Sequence, residues 1–432
     1  MIKFLHTADI HLGKVFHEHS LIEDQEYILN TLYAILNDES YRALLIAGDV
    51  FDRSIPSPDA VQLFSAFLGK LKTSRPDLKI LIIPGNHDSP LRLAYGKELF
   101  AGLGVHFVTD PYDAVNPIFV YAKTGGSTAE GETQECAAFF LLPFLNAGSL
   151  NAEETAGKDG GGFAEPIRSQ AKLAEEAAAR LEKARLSALS QGADYTVLAA
   201  HVFAVGGKES KSERVFLGTA EQVSANLFAG FDYAAFGHLH SFQKAGPNSY
   251  YSGSPLAYSF EEAGAEKVFL SVEFDRSLEP DSFRELDGNN GYKTGNVNTI
   301  SVNPIPIKPK RKLTRLKGSF QYFLSESGSD KSINDAAEDY LEITLTGKDL
   351  ALNALSILRN GRFPNLLSVK QDEAFAALSE EQVRVRQEAL SAKRSTDEDF
   401  SDFLIDIYGR ADEEKIDLFR ELLIEAEKEE RL

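Results

Sequence analysis

A chain of 432 residues, 43% hydrophobic and 25% charged, has the length for two or three domains and the composition of an ordinary globular protein. It has no run of about eighteen apolar residues, which excludes a membrane-spanning helix, and its single cysteine excludes an internal disulfide framework and a thiolate metal cage. The net charge of −20 excludes a protein that grips nucleic acid by bulk electrostatics, so any polyanionic partner has to be attracted locally.

The first hundred residues alternate strand and helix. Residues 2–7 read as a strand that the chain enters without a basic-then-apolar leader, so a cytoplasmic location is expected. Ile28, Leu29, Leu32, Ile35 and Leu36 recur on one face of a helix over 23–37. Residues 43–47 form a second buried strand. Pro58 opens a helix over 58–72 with Val61, Phe64, Leu68 and Leu71 on one side, and 78–83 is a third strand. This βαβαβ order predicts a parallel sheet. Cys136 precedes the apolar run 137–142 and reads as a small buried residue. Residues 148–163 are rich in Gly, Ala and Glu, as in an exposed loop, and 165–189 is an Ala/Glu/Arg helix. Strands then resume at 195–200, 231–236, 250–253 and 267–274.

Composition changes near Asp287. The turn-rich Gly288-Asn289-Asn290-Gly291 precedes half-exposed strands at 300–302 and 340–345, a helix over 349–359 and a strand at 366–369, the pattern of a small α+β domain. Beyond Leu378 two amphipathic stripes remain, Phe400, Phe403, Leu404, Ile407 and Tyr408, then Ile416, Phe419, Leu422, Leu423 and Ala426. The expected domains are therefore 1–286, 298–375 and a helical tail over 378–432.

The polar residues that close the strands carry the chemistry. The third strand ends in Pro84-Gly85-Asn86-His87-Asp88, where proline stops the ladder and three polar side chains follow on a tight loop. The first strand ends in Asp9-Ile10-His11 and the second in Gly48-Asp49-Val50-Phe51-Asp52; later strands end at His201 and in Gly237-His238-Leu239-His240. In both x-separated pairs the polar residues stand two apart, so they share one side if strand geometry persists. Imidazoles with carboxylate and amide oxygens, and no thiolate, suit Mn²⁺, Fe²⁺ or Zn²⁺. Asp9, His11, Asp49, Asn86, His201, His238 and His240 are too many for one tetrahedral ion and suffice for two ions roughly 3.5–4 Å apart. Two dications would give this acidic protein a local positive charge able to hold a phosphodiester.

The ordered set Asp9-x-His11, Gly48-Asp49-x-x-Asp52, Gly85-Asn86-His87-Asp88, Ala200-His201 and Gly237-His238-x-His240 resembles the signature of calcineurin-like metallophosphoesterases. Further likeness to the SbcD-type nuclease subunits of that family lies in His11-Leu12-Gly13, Val205-Gly206-Gly207, Ser212-Glu213-Arg214, Tyr251-Ser252-Gly253-Ser254-Pro255 and Ser259-Phe260. The resemblance implies a four-layer α/β/β/α sandwich with a small α+β capping domain and a C-terminal helical tail. It implies that Asp9, His11, Asp49 and His240 hold one Mn²⁺ and that Asp49, Asn86, His201 and His238 hold the other. His87 would act on the leaving oxygen, Asp88 would orient His87, and Asp52 would orient the ligands. The activity implied is Mn²⁺-dependent DNA hydrolysis, a 3′→5′ double-strand exonuclease and single-strand endonuclease serving DNA repair. The implied assembly is a homodimer within a heterotetramer with an SbcC-type ATPase of the chromosome-maintenance class. Competing readings are a phosphoesterase for small molecules or phosphoproteins, and a nuclease-silent DNA tether.

His17-Glu18-His19 imitates a ligand pair but lies away from a strand end and reads as a solvated loop; His6 and His106 read as strand residues. Arg53 is positioned to meet a phosphate or to satisfy Asp52. Six basic residues and no acid occupy 308–317 (Lys308, Lys310, Arg311, Lys312, Arg315, Lys317), which suggests contact with a DNA backbone. No Gly-Lys pair is followed by Ser or Thr, so ATP chemistry would have to come from a partner, for which the tail stripes offer helix-in-groove docking.

Overall fold

The computed structural model describes residues 1–123, 134–151, 166–204, 223–275, 299–325, 336–346 and 353–372, with positions 400, 401, 404, 413, 415–420 and 422. The expected motifs at 205–207 and 212–214, the joint at 288–291, and most of the loop near 155 and of the tail lie outside these residues. Two compact units are present, Met1–Thr344 with Leu352–Lys370, and Leu345–Ala351 with Gln371–Leu432.

In chain order the first unit opens with β1 (Ile2–Thr7), the short hairpin β2 (Val15–Phe16) and β3 (His19–Ser20), α1 (Ile22–Leu36), β4 (Tyr41–Ala47), α2 (Pro58–Ser74) and β5 (Lys79–Ile83). Then come α3 (Pro90–Leu93), α4 (Lys97–Gly102), β6 (Val105–Phe107), β7 (Ile118–Lys123), β8 (Gln134–Leu142), α5 (Gln170–Ser190), β9 (Tyr195–His201) and β10 (Tyr233–Gly237). The remaining elements are β11 (Gln243–Lys244), β12 (Ser249–Tyr251), β13 (Val268–Asp275), β14 (Thr299–Pro306), β15 (Leu313–Ser319), α6 (Phe320–Leu324), β16 (Tyr340–Thr346), α7 (Ala354–Gly361) and β17 (Leu366–Gln371).

The strands build two six-stranded sheets, in the orders β14-β13-β1-β4-β5-β6 and β11-β12-β10-β9-β8-β7. As the βαβαβ pattern predicts, β1, β4 and β5 are parallel. Strand alternation explains the layering. In β4, Leu44 and Ile46 face the helices α1 and α2 and pack with Ile28, Leu32, Phe64 and Leu71. Ala43, Leu45 and Ala47 face the other way and join Phe139, Leu141, Val197 and Tyr233 of the second sheet. The outer side of the second sheet, with Phe140, Leu198 and Phe236, is covered by Leu173, Ala177 and Leu181 of α5. The result is the expected order helix, sheet, sheet, helix. Aromatic contacts tie the sheets together: Phe4 meets Phe139 edge-on at 5.1 Å, and Tyr195 stacks on Phe274 at 4.4 Å. Removing a ring of this kind costs about 3–5 kcal/mol.

Local signals set the helix starts. Ser57 caps α2, its hydroxyl accepting from the Ala60 amide at 3.3 Å, and Pro58 follows at the first helical position. Cys136 is buried in β8, where burial raises its thiol pKa.

Residues 298–375, expected as a separate domain, fall for the most part in the first unit. Thr299–Pro306 does not open a small domain but pairs along the whole of β13 as an edge strand of the first sheet. Strands β15, β16 and β17 do form a three-stranded sheet of their own, with α6 and α7 in the same stretch of chain. The basic run is partly neutralised. Lys310 Nζ lies 2.6 Å from Glu23 Oε1, and Arg311 lies 2.8 Å from Glu23 and 3.0 Å from Asp24, both acids on α1. Arg315 pairs with Glu342 at 3.1 Å. In the second unit Phe400 stacks on Phe419 at 4.1 Å, and Leu404 and Ile416 are buried. Among the described residues no helix is long and apolar enough to cross a membrane.

Candidate metal centre

The carboxyl ends of β1, β4, β5, β9 and β10 converge on one spot, and the chain is strained to bring them there. Asp9, His11, Asp49 and His238 have φ of 52°, 48°, 49° and 108°, a region that non-glycine residues seldom adopt and that costs about 1–3 kcal/mol each. Two glycines permit the approach. A Cβ on Gly85 would stand 2.1 Å from Asp49 Oδ1, and one on Gly237 would stand 1.9 Å from the Ala47 carbonyl oxygen. The amides of Asp9 and His11 donate to the carbonyls of Gly48 and Asp49 at 3.0 Å, extending the β1–β4 pairing into the loops.

All seven expected ligands are gathered. Donor atoms of Asp9, His11 and His240 lie within 4.8 Å of one another, as do those of Asp9, Asp49 and His201. His11 Nε2 and His240 Nε2 face each other at 3.2 Å. Asn86 Oδ1 lies 3.0 Å from both His201 Nε2 and His238 Nδ1. Asp49 Oδ2 stands between the two halves, 3.7 Å from His11 Nε2 and 3.5 Å from His201 Nε2. The two histidines of Gly237-His238-x-His240 do not share a side, because the strand stops at Gly237 and the φ of His238 breaks the alternation. One therefore faces Asn86 and the other His11.

Burial sets the electrostatics. It lowers the pKa of His11, His201 and His238, with neighbouring imidazoles adding to the effect at His11 and His238. These rings are neutral at physiological pH and offer lone pairs. His201 Nδ1 donates to the Ala47 carbonyl at 2.9 Å, which leaves Nε2 as its ligand atom. Buried, neutral imidazoles facing carboxylate and amide oxygens form a donor set that fits divalent cations.

His87 stands beside the cluster, its ring centroid 4.8 Å from that of His11. Its Nδ1 donates to the Asp52 carbonyl at 2.8 Å and its amide donates to Asp49 Oδ1 at 2.9 Å. Asp88, expected to orient His87, instead accepts from the amides of Gly85, Val50 and Phe51 at 2.9–3.0 Å, so it ties two ligand loops together. Burial and the nearby Asp49 charge push its carboxyl up to about 7. The Asp52 carboxylate is held by Lys14 Nζ at 2.8 Å and lies 3.7 Å from His11 Nδ1. Arg53, largely exposed, approaches Asp52 at 3.7 Å.

His17 and His19 stay outside the cluster. His17 and Glu18 form the left-handed turn of the hairpin, and His19 Nε2 lies 3.0 Å from the Tyr340 hydroxyl rather than being solvated on all sides. Four supporting residues carry no motif. Gln25 Nε2 donates to the His11 carbonyl at 2.7 Å, the Tyr258 hydroxyl donates to the Ile10 carbonyl, and Glu262 and Lys267 lie behind His240. Burial raises the Glu262 carboxyl, but His240 and Lys267 outweigh it and hold the group well below the usual carboxylate range.

The sequence profile of calcineurin-like phosphoesterases matches residues 2–242. Among solved structures, TT1561 of Thermus thermophilus is 14% identical, covering 62% of this chain and 93% of its own, with a TM-score of 0.33. A dimetal phosphatase from Danio rerio is 11% identical over 63% of this chain and 92% of its own, at 0.34. GAP50, the anchor in the inner membrane complex of Plasmodium, is 14% identical over 58% of this chain and 71% of its own, at 0.34. The profile match spans more than half of the chain and contains all seven expected ligand positions, so the chain belongs to the calcineurin-like phosphoesterase family, metal-dependent phosphoester hydrolases that typically bind two divalent ions.

Proposed function

We propose that the chain is a DNA nuclease of the SbcD type, cleaving phosphodiesters with two Mn²⁺ ions and, with an SbcC-type ATPase, degrading duplex ends 3′→5′ in the cytoplasm. The observation that carries hydrolysis is the setting of His87 beside the ligand cluster. Bound cations supply positive charge for the phosphoryl oxygens and acidify a water. Asp9 and Asp49 would anchor that charge, and His11, His201, His238 and His240, with the amide of Asn86, would complete the ligand set. The Asp52 carbonyl accepts the Nδ1 proton of His87, so Nε2 is the atom that takes up a proton from solvent, giving the imidazolium, and passes it to the leaving oxygen.

DNA as substrate is supported by the motif likeness and by exposed Lys308, Lys312 and Lys317. Lys310, Arg311 and Arg315 contribute less than the sequence suggests, because acids already face them. Self-association is supported by Leu91, Tyr95 and Leu99, which are 87%, 86% and 81% exposed at four-residue spacing after the Asn86 loop. Exposed Leu418 and Leu422 in the tail support docking of a partner helix.

The test is digestion of end-labelled linear and hairpin DNA in Mn²⁺, with and without the ATPase partner. Cleavage that His87→Ala abolishes, by about 10²–10⁴-fold with metal content unchanged, is the expected result. Cleavage of small phosphoesters alone would replace this reading with a small-substrate phosphoesterase. DNA binding without cleavage would replace it with a tether.

A further inference from the structure

We propose that Glu262 is a positioning residue for one of the two metal positions: pinned by Lys267, its carboxylate fixes the tautomer and orientation of His240 and so sets how tightly that position holds its ion. The inference rests on the metal-centre reading above and deepens it.

His240 presents two nitrogens to two different surroundings. Nε2 faces His11 Nε2 at 3.2 Å, on the ligand side. Nδ1 lies 3.5 Å from Glu262 Oε1, on the protein side. A carboxylate accepts, so this contact selects the tautomer with the proton on Nδ1 and leaves the Nε2 lone pair turned inward. Glu262 is itself held in place. Lys267 Nζ donates to Glu262 Oε2 at 2.6 Å, to the His240 carbonyl at 2.8 Å and to Ser254 Oγ at 2.9 Å, which uses all three of its ammonium protons. Ser259 Oγ donates to Glu262 Oε1 at 3.2 Å. Glu262, Lys267, Ser254 and His240 are all buried. One ammonium thus grips the carboxylate behind the ring and the main chain of the same histidine, leaving neither much freedom to move.

The arrangement is one-sided. On the other half of the centre, His201 is oriented by a neutral carbonyl, that of Ala47. A full charge behind an imidazole raises its basicity more than a carbonyl dipole does. The position served by Asp9, His11 and His240 should therefore hold its ion more tightly, and that preference should depend on Glu262.

Mn²⁺ titration of the full chain by calorimetry, with bound Mn²⁺ counted by electron paramagnetic resonance, tests this. Wild type is expected to bind two ions. Glu262→Gln, which removes the charge, and the paired Glu262→Met and Lys267→Met replacement, which removes the ion pair at similar volume, should each weaken one ion by about 10–100-fold and leave the other unchanged. Long-range ¹⁵N–¹H correlation spectra of the metal-free wild type should find His240 protonated at Nδ1, a readout that needs no variant to fold. Folded variants that keep wild-type affinity for both ions, or a wild-type His240 protonated at Nε2, would overturn the proposal. A wild type that binds no Mn²⁺ would overturn the metal-centre reading itself, a result distinguishable from either.

Discussion

The two sheets bring different chemistry to the same centre. Of the seven expected ligands, the first sheet carries every oxygen donor, Asp9, Asp49 and Asn86, with a single imidazole, His11; the second carries only imidazoles, His201, His238 and His240. Neither sheet alone presents a balanced set for an ion pair. The centre is a property of the seam between them, and the apolar layer of Phe4, Leu45, Phe139 and Tyr233 is as much a part of it as the ligands.

Substitutions on either side of the seam separate the contributions. The largest effect is expected for Asp49→Ala, because Asp49 Oδ2 neighbours histidines of both sheets. Both ions should be lost and hydrolysis should fall by at least about 10³-fold, measured by elemental analysis and rate on the same sample; retention of two ions would contradict a shared carboxylate. Gly237→Ala strikes the seam without replacing a ligand. Its Cβ would run into the Ala47 carbonyl oxygen and crowd His201 Nδ1 at 2.9 Å. A loss of about 1–3 kcal/mol in urea unfolding is expected, together with weaker metal binding, and an unaltered midpoint would mean that the sheets do not approach so closely.

His6 tests the seam away from the ligands. It is buried between the sheets, Nδ1 2.9 Å from the Tyr233 hydroxyl, and burial lowers its pKa to about 3. Below about pH 6.5 the unfolded chain takes a proton there that the folded chain refuses, so stability should fall as pH drops from about 6.5 toward 3. His6→Leu should remove about one proton from that dependence, worth about 2 kcal/mol between pH 6.5 and 5. Denaturant titrations at the two pH values read this directly, and an unchanged slope would count against a neutral buried His6. The smallest effect is expected outside the seam. Lys312→Glu with Lys317→Glu should weaken DNA binding and lower the salt slope by about 1 for each phosphate that is no longer neutralised; an identical slope would remove these lysines from the interface.

The strand-end ligands were legible because parallel strands stop abruptly at Gly or Pro and expose whatever follows. Asp49, Asn86 and the two histidines after β10 are found that way, whereas Asp9 and His201 follow alanines and stand out only as polar residues closing apolar runs. Side-chain direction was not legible at His238, since a φ of 108° cannot be inferred from a period of two. Nor was the second role of the basic run, because Glu23 and Asp24 lie 287 residues before Lys310 and Arg311 and meet them only through the fold. Gln25, Tyr258, Glu262 and Lys267 carry no motif for the same reason. Each acts by contact with a ligand loop, and nothing in its sequence neighbourhood distinguishes it from a surface or core residue.

The seam is expected to hold two ions with Asp49 between them. Anomalous diffraction from a Mn²⁺-loaded crystal tests it most directly. Two peaks are expected, one among Asp9, His11 and His240 and one among Asn86, His201 and His238, both within reach of Asp49. A single peak, or two peaks that Asp49 does not touch, would contradict it.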